Sequence, residues 1–404
     1  MKMVKWERKP LGAVADLCLG KMLDQNKNRG VPLPYLANVN VRWGEFALAD
    51  LRTMRFEPKE MDRYGLRFGD IVMCEGGEPG RCAIWKDQAP GMMIQKALHR
   101  IRPKEFLDCR FLFYSFLRIG QLKGFDQYVT GATIKHLPSE KLAKVEIEIP
   151  PLPTQRRIAS ILSAYDELIE NNQRRIRILE DMARSLYREW FVHFRYPGHE
   201  SVPLADSPLG QIPQGWEVKK LRDVCNLTMG TSPKSEFYNE TGDGLPFHQG
   251  VTNFGERFPT DRLFCTVESR IAEAGDILFS VRAPVGRMNI TDKKIIIGRG
   301  LSAIHHKAGY QAFLWEQLCA KFTEEDMMGN GAIFASVTKD DMQGIELLCP
   351  AEQVIKAATR HFKQLHAEIE VLIKQTSNLR RTRDLLLPRL LSGLVALNSN
   401  LKGE

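Results

Sequence analysis

The sequence predicts an α+β protein: two repeated α+β domains separated by two long antiparallel coiled-coil helices, related by an approximate twofold axis. Three observations carry this. An internal repeat has paired anchors at matched separations. The front of each copy alternates short β-prone runs with glycine and proline, and the rear of each copy holds sustained heptad spacing.

The 404-residue length exceeds one ordinary core and suits two domains plus connecting structure. A hydrophobic share of 43% with 26% charged residues is that of a chain that folds. The opening MKMVKWERKPLG lacks an apolar core of signal-peptide length, and no run approaches the ~18 apolar residues that span a bilayer, so a cytoplasmic location without membrane contact is expected. The eight cysteines form no CxxC pair and no Cys/His group at zinc spacing, which reads as free thiols and no metal site. A net charge of +8 favours a polyanionic partner, although acidic protein surfaces attract such a chain as well.

The repeat is read from LRFGDIVMCEGGEPGRCAI and IAEAGDILFSVRAPVGRMNI. Gly69 and Gly275, each before an aspartate, lie 206 residues apart, and so do Gly80 and Gly286, each before an arginine. TGATIKHL then matches NGAIFASV, with Gly131 and Gly331 200 apart, and Pro150 matches Pro350 at the same separation. A looser pairing sets PYLANVNVRWG against PFHQGVTNFG, so the early loops differ in length. The organisation that follows is a first domain at 1–150, a central helical region at 151–197, a second domain at 198–350, a distal helical region at 351–395 and a tail at 396–404.

Within each front part, GDIVMC, GDILFS and KIIIG read as strands, and FLFYSFLRIGQL and YQAFLWEQLCAKF as helices. The rear parts begin after PPLPTQ and CPAEQ, where proline favours an extended approach and a helix starts just downstream. Ile158, Tyr165, Asn172, Leu179 and Leu186 recur every seven residues, with Ile161, Leu168 and Met182 as expected seam partners. In the second copy Phe362, Ile369, Thr376 and Arg383 pair with Leu365, Leu372, Leu379 and Leu386. Asn172 and Thr376 place polar groups in the seam, either to fix register or through simple exposure. Arg174, Arg175, Arg177, Arg184 and Arg188, with Lys363, Lys374, Arg380 and Arg381, read first as a solvated face pairing with Glu170 or Glu180, and second as contacts to phosphates or a partner. Trp190, Phe191 and Phe194 read as packing against the following domain.

PPLPTQ, LYREWFVHF, IPQGWEV and LLLPRLLSG occur in an order that resembles the specificity subunits of type I restriction-modification enzymes over essentially the full chain. One departure is PLPTQ, where that family often has an acidic residue before the glutamine; the distal copy has it as Glu352-Gln353. The resemblance implies two target-recognition domains, each reading one half of a bipartite, asymmetric target on double-stranded DNA. It also implies that the helices set the gap and dock two methyltransferase subunits, through which restriction subunits join. S-adenosylmethionine, ATP and Mg are then expected on the partners, with no catalytic residue, cofactor or metal in this chain. The residues agree with this: no Walker A motif and no Asn-Pro-Pro-Tyr motif occurs, and EGGEPG and GRG do not fit a dinucleotide loop. His305-His306 reads as a strand or loop feature.

A DNA reader needs side chains that reach base edges: Arg for guanine, Asn or Gln for adenine, Glu or Asp for cytosine. On that basis the candidates in the first domain are Asn38, Asn40, Arg42, Glu75, Glu78, Arg81, Thr133 and Lys135. In the second they are Thr252, Asn253, Ser280, Arg282, Arg287, Ser336 and Lys339. The repeated Gly-Asp pairs are assigned instead to structural turns. Two other functions stay open: a coiled-coil scaffold that binds only proteins, and a self-contained modification enzyme, which the missing cofactor motifs disfavour.

Overall fold

The computed structural model describes residues 6–22, 24, 28–131, 133, 135–327 and 336–393. The Gly331 anchor and the 396–404 tail lie outside the described residues. The chain divides into two compact units, Met1–Asn172 with Gln375–Glu404, and Gln173–Lys374.

In unit 1 a four-stranded antiparallel sheet has the order Ala15–Leu19, Leu98–Pro103, Ile71–Cys74, Cys82–Ile84. A second sheet orders Arg52–Phe56, Val31–Leu36 and Met93–Ile94, the last pair running parallel. Glu7–Pro10 pairs with Glu146–Ile149. Unit 2 repeats this plan. Its four-stranded sheet runs Cys225–Met229, Leu301–His306, Ile277–Ser280, Met288–Ile290, and Glu217–Lys220 pairs with Glu346–Cys349. Its second sheet is wider, with five strands, and keeps the parallel pair as Phe247 beside Ile296.

The Gly-Asp pairs do what the sequence assigns to them. Gly69 and Gly275 have φ of +89° and +91°, a region that favours glycine. The following carboxylates turn back to accept the Arg67 and Glu273 amides at 2.8 and 2.9 Å.

Each unit packs one helix on its four-stranded sheet: α1, Cys109–Gln121, and α3, Gln311–Met327. The Asp108 carboxylate caps α1 by accepting the Arg110 and Phe111 amides at 3.0 Å. Phe111, Leu112 and Phe116 then fill the core with Ile71, Met73 and Ile101. In unit 2, Leu314 and Leu318 meet Ile277, Phe279 and Ile304.

The long helices are α2, Leu152–Tyr187, and α4, Glu352–Leu391. The division between units falls inside both. Pro153 sits in the first turn of α2, where a missing amide costs nothing. The buried Gln155 side chain accepts the Asp108 amide and donates to the Pro150 and Phe106 carbonyls, tying α2 to the start of α1.

Heptad spacing is present with one correction. The buried partners of the Ile158 series on α2 are Leu162, Ile169, Ile176 and Ala183. Leu168 and Met182 are 51% and 52% exposed. A seam alternates steps of three and four, and a step of three taken from this series leaves it on the wrong flank. On α4, Phe362, Ile369, Leu372 and Thr376 are buried. Phe191 packs in unit 2 against Phe313 at 4.8 Å and Trp216 at 5.8 Å between ring centres, and Phe194 meets Trp216 at 5.6 Å, as the sequence anticipates.

Candidate nucleic-acid interface

Three loops converge in unit 1, and in unit 2 two described loops stand in the matching places; the candidates lie on or beside them, with Lys339 opening the short helix Lys339–Gly344. In unit 1 the first is the turn Asn38–Asn40 with the hairpin closed by the Val41–Phe46 bridge. The second is the glycine-rich loop between Cys74 and Cys82, and the third joins Thr130 to His136. Gly76 bridges to His136, and the Leu137 amide donates to the Glu75 carbonyl at 2.7 Å. Asn38 Nδ2 donates to the Gly76 carbonyl at 2.7 Å, closing the triangle. The three loops that carry the eight candidates of the first domain are therefore joined at their bases.

Their side chains differ in what they are free to do. Asn40 is buried; its Oδ1 accepts the Ala37 amide and its Nδ2 donates to Ala47 O, each at 2.9 Å, so it braces the turn. Arg81 donates to Glu78 at 3.0 Å and to the Asn38 carbonyl at 3.2 Å. Glu78 also accepts Trp43 Nε1 at 2.8 Å. Burial pushes the nearby Cys74 thiol up, with Arg81 opposing it. Arg42 is exposed but bends to the Val39 and Val41 carbonyls, at 2.8 and 3.1 Å. Glu75 is half-buried, while Thr133 and Lys135 are exposed.

In unit 2 the turn Val251–Asn253 leads into a hairpin closed by the Phe254–Pro259 bridge. The loop from Ser280 to Arg287 meets the third strand of chain through the Arg282–Ser336 bridge and the Val337 amide, which donates to Val281 O at 2.9 Å. Ser280 is buried; its hydroxyl donates to Pro284 O at 2.7 Å and accepts the Arg287 amide at 2.8 Å, so it shapes the loop. Thr252, Arg282, Arg287, Ser336 and Lys339 are exposed, and Asn253 is half-buried. In this loop unit 2 thus holds Arg282 and Arg287 in the open, where unit 1 holds Arg81 inward.

Trp43, Arg257 and Asn289 were not among the candidates. Trp43 adjoins a candidate and could have been found as an aromatic in a polar loop. The partners of the other two lie too far along the chain to be read. Among the described residues no group of three or more His, Cys, Asp or Glu could hold a metal ion, and no helix is long and apolar enough to cross a membrane. The His305-His306 pair ends a strand, with His305 Nδ1 2.8 Å from Asp276.

One α+β frame built twice, each copy offering a polar loop cluster of different composition, defines a duplicated recognition protein. The family model described as type I restriction modification DNA specificity domain matches residues 3–181 and again 213–378. The MjaX type I restriction enzyme specificity subunit of Methanocaldococcus jannaschii is 29% identical over 83% of this chain and 81% of its own length. The MjaIX specificity subunit of the same organism is 25% identical over 80% and 77%. Among solved structures, the S subunit of a type I restriction-modification system from M. genitalium covers 96% of this chain and 98% of its own, with a TM-score of 0.60 and 18% identity, which shows the shared fold. The chain belongs to the type I restriction-modification DNA specificity family. Its part is recognition, not catalysis.

Proposed function

We propose that the chain reads a bipartite, asymmetric sequence on double-stranded DNA, one half with each unit, and brings methyltransferase and restriction subunits to it. The observation that carries this is the repeated loop frame with unlike side chains. Asn38, Val39 and Asn40 stand where unit 2 has Val251, Thr252 and Asn253, and the inward Arg81 has an outward counterpart in Arg287. Equal frames with different contents suit two half-sites of different sequence. Thr133, Lys135, Arg42, Thr252, Asn253, Arg282, Arg287, Ser336 and Lys339 are the residues we assign to DNA. Asn40, Glu78, Arg81 and Ser280 shape the loops, and Glu75 and Asn38 join one loop to another.

The helices serve as an antiparallel coiled-coil spacer. Within unit 1 Asp166 meets Arg383 and Ile158 shares a core with Leu390; within unit 2 Arg175 meets Glu368 and Tyr187 shares a core with Ile355. Rising numbers on one helix meet falling numbers on the other. The 36 residues of α2 extend about 54 Å at ~1.5 Å per residue. In this reading two methyltransferase subunits dock on the helices, restriction subunits attach through them, and S-adenosylmethionine, ATP and Mg belong to those partners.

The test is methylation mapping with the chain reconstituted with its methyltransferase. A two-part motif is expected, its halves about one helical turn apart. Insertion of a heptad after Asn172 should lengthen the gap and leave both halves unchanged. Methylation without sequence preference sinks the reading, and an unchanged gap in an assembled insertion variant sinks the spacer role.

A further inference from the structure

Arg257 lies at the tip of unit 2's first hairpin, where a charged side chain ordinarily points to water, yet it is only 5% exposed. Its guanidinium lies 4.9 Å from the centre of the Trp315 ring on α3. The carboxylates of Glu316 on α3, Glu180 on α2 and Glu370 on α4 attract its charge. Glu316 is itself buried and held by His366 Nε2 of α4 at 2.6 Å. Burial lowers the affinity of Arg257 for its proton, and these carboxylates counter that. A buried guanidinium is costly unless acids compensate it, which favours the hairpin position that keeps Arg257 among them.

The backbone around the tip is tied as firmly. The Arg257 carbonyl accepts the Ile290 amide at 2.8 Å. Asn289 grips Gly255 from both sides, its Oδ1 accepting the Gly255 amide and its Nδ2 donating to the Gly255 carbonyl, each at 3.2 Å. The Asn253 carbonyl accepts the Thr260 amide at 2.8 Å, so the turn bearing Thr252 and Asn253 inherits the position of the tip.

Unit 1 secures its equivalent hairpin by unrelated means. The Trp43 indole donates to Glu78 and lies against α1 so closely that a Cβ on Gly120 would stand 2.7 Å from the ring. Two hairpins in the same place, one pinned by an indole and one by a buried arginine, point to pinning itself as the requirement.

We propose that Arg257 is a positioning residue that locks unit 2's reading hairpin onto α2, α3 and α4, and so sets how sharply that unit discriminates its half-site. This rests on the DNA-reading function above. The test uses the full chain assembled with its methyltransferase, as Arg257→Met, Arg257→Lys and Glu180→Gln variants. Two readouts are taken: amide exchange across residues 251–260 and 38–47, and methylation of the mapped target against targets with single-base changes in each half.

Arg257→Met should speed exchange in 251–260 only, and cost about tenfold in discrimination at one half-site with the other intact. Arg257→Lys should restore part of both, and Glu180→Gln should show a smaller loss of the same kind should Arg257→Met not fold. Undiminished discrimination in these variants, or equal loss at both half-sites, overturns the proposal. A wild-type complex that discriminates no sequence defeats the DNA-reading function instead, and exchange in 251–260 then decides the pinning alone.

Discussion

The same joint between domain helix and long helix is built in both units with its chemistry reversed. In unit 1, Tyr114 of α1 donates to Asp166 of α2 at 2.6 Å, and Arg383 of α4 donates to the other carboxylate oxygen at 2.6 Å. In unit 2, Glu316 holds the place of Tyr114 on α3, and His366 holds the place of Asp166 on α4, 2.6 Å apart. The acid sits on the long helix in one unit and on the domain helix in the other. The Gly-Asp turns differ likewise: Asp70 takes two bonds from Arg102, both at 2.7 Å, whereas Asp276 faces the half-exposed His305 at 2.8 Å. Duplication here preserves places, and paired substitution has changed what stands in them.

The largest expected effect probes the turns. Asp70 is 1% exposed, and its bidentate, charge-assisted pairing makes its loss costly. Asp70→Ala should destabilise unit 1 by about 3 kcal/mol, while Asp276→Ala should cost unit 2 only about 1 kcal/mol. Amide exchange in each four-stranded sheet reads the two separately, and equal losses would erase the distinction.

Acid should separate the units next. Burial lowers the pKa of His248, His306 and His366 in unit 2, that of His306 to about 4, and of His99 alone in unit 1. A lowered histidine gives stability that is whole above its unfolded value near 6.5 and drains as pH falls toward its folded value. His306 contributes at most about 3 kcal/mol over that interval. Glu180 works the other way, since burial raises its pKa and protonation relieves it at lower pH. Unit 2 should therefore lose exchange protection before unit 1 between pH 6.5 and 5; the reverse order would contradict this assignment.

The smallest effect lies in the seam. Thr376 is buried with its hydroxyl unpaired, and its counterpart on α2 is Ile176. Thr376→Val keeps the shape and removes the orphaned hydroxyl, so it should stabilise unit 1 by about 1 kcal/mol. Unfolding in denaturant measures it, and a loss of stability would mean that the hydroxyl has a role on the native helix.

Local rules made much of the fold readable. The Gly-Asp and Gly-Arg anchors mark bends that glycine eases, and their equal spacing sets the register of the repeat by itself. Leu168 and Met182 misled because an apolar residue three steps from a seam position lies beside the true partner, and composition cannot tell one flank from the other. The candidate site was legible as loops, because turn residues announce themselves locally. Which side chains remain free was not: Asn40, Arg81 and Ser280 are engaged by backbone groups that only folding brings near. Arg257 was least visible of all, since Glu180 precedes it by 77 residues and His366 follows by 109.

The placement of the unit boundary inside both long helices has a consequence for how the protein is made. Unit 2 is one uninterrupted stretch, Gln173–Lys374, and unit 1 joins Met1–Asn172 to residues from Gln375 onward. Its bonds reach far: Arg118 donates to Leu391 O across 273 residues, and Arg383 meets Asp166 across 217. On the ribosome, the half synthesised first is the half that must wait. Through most of translation it is an unclosed core exposing the faces that α4 will cover, while its younger twin can already be complete.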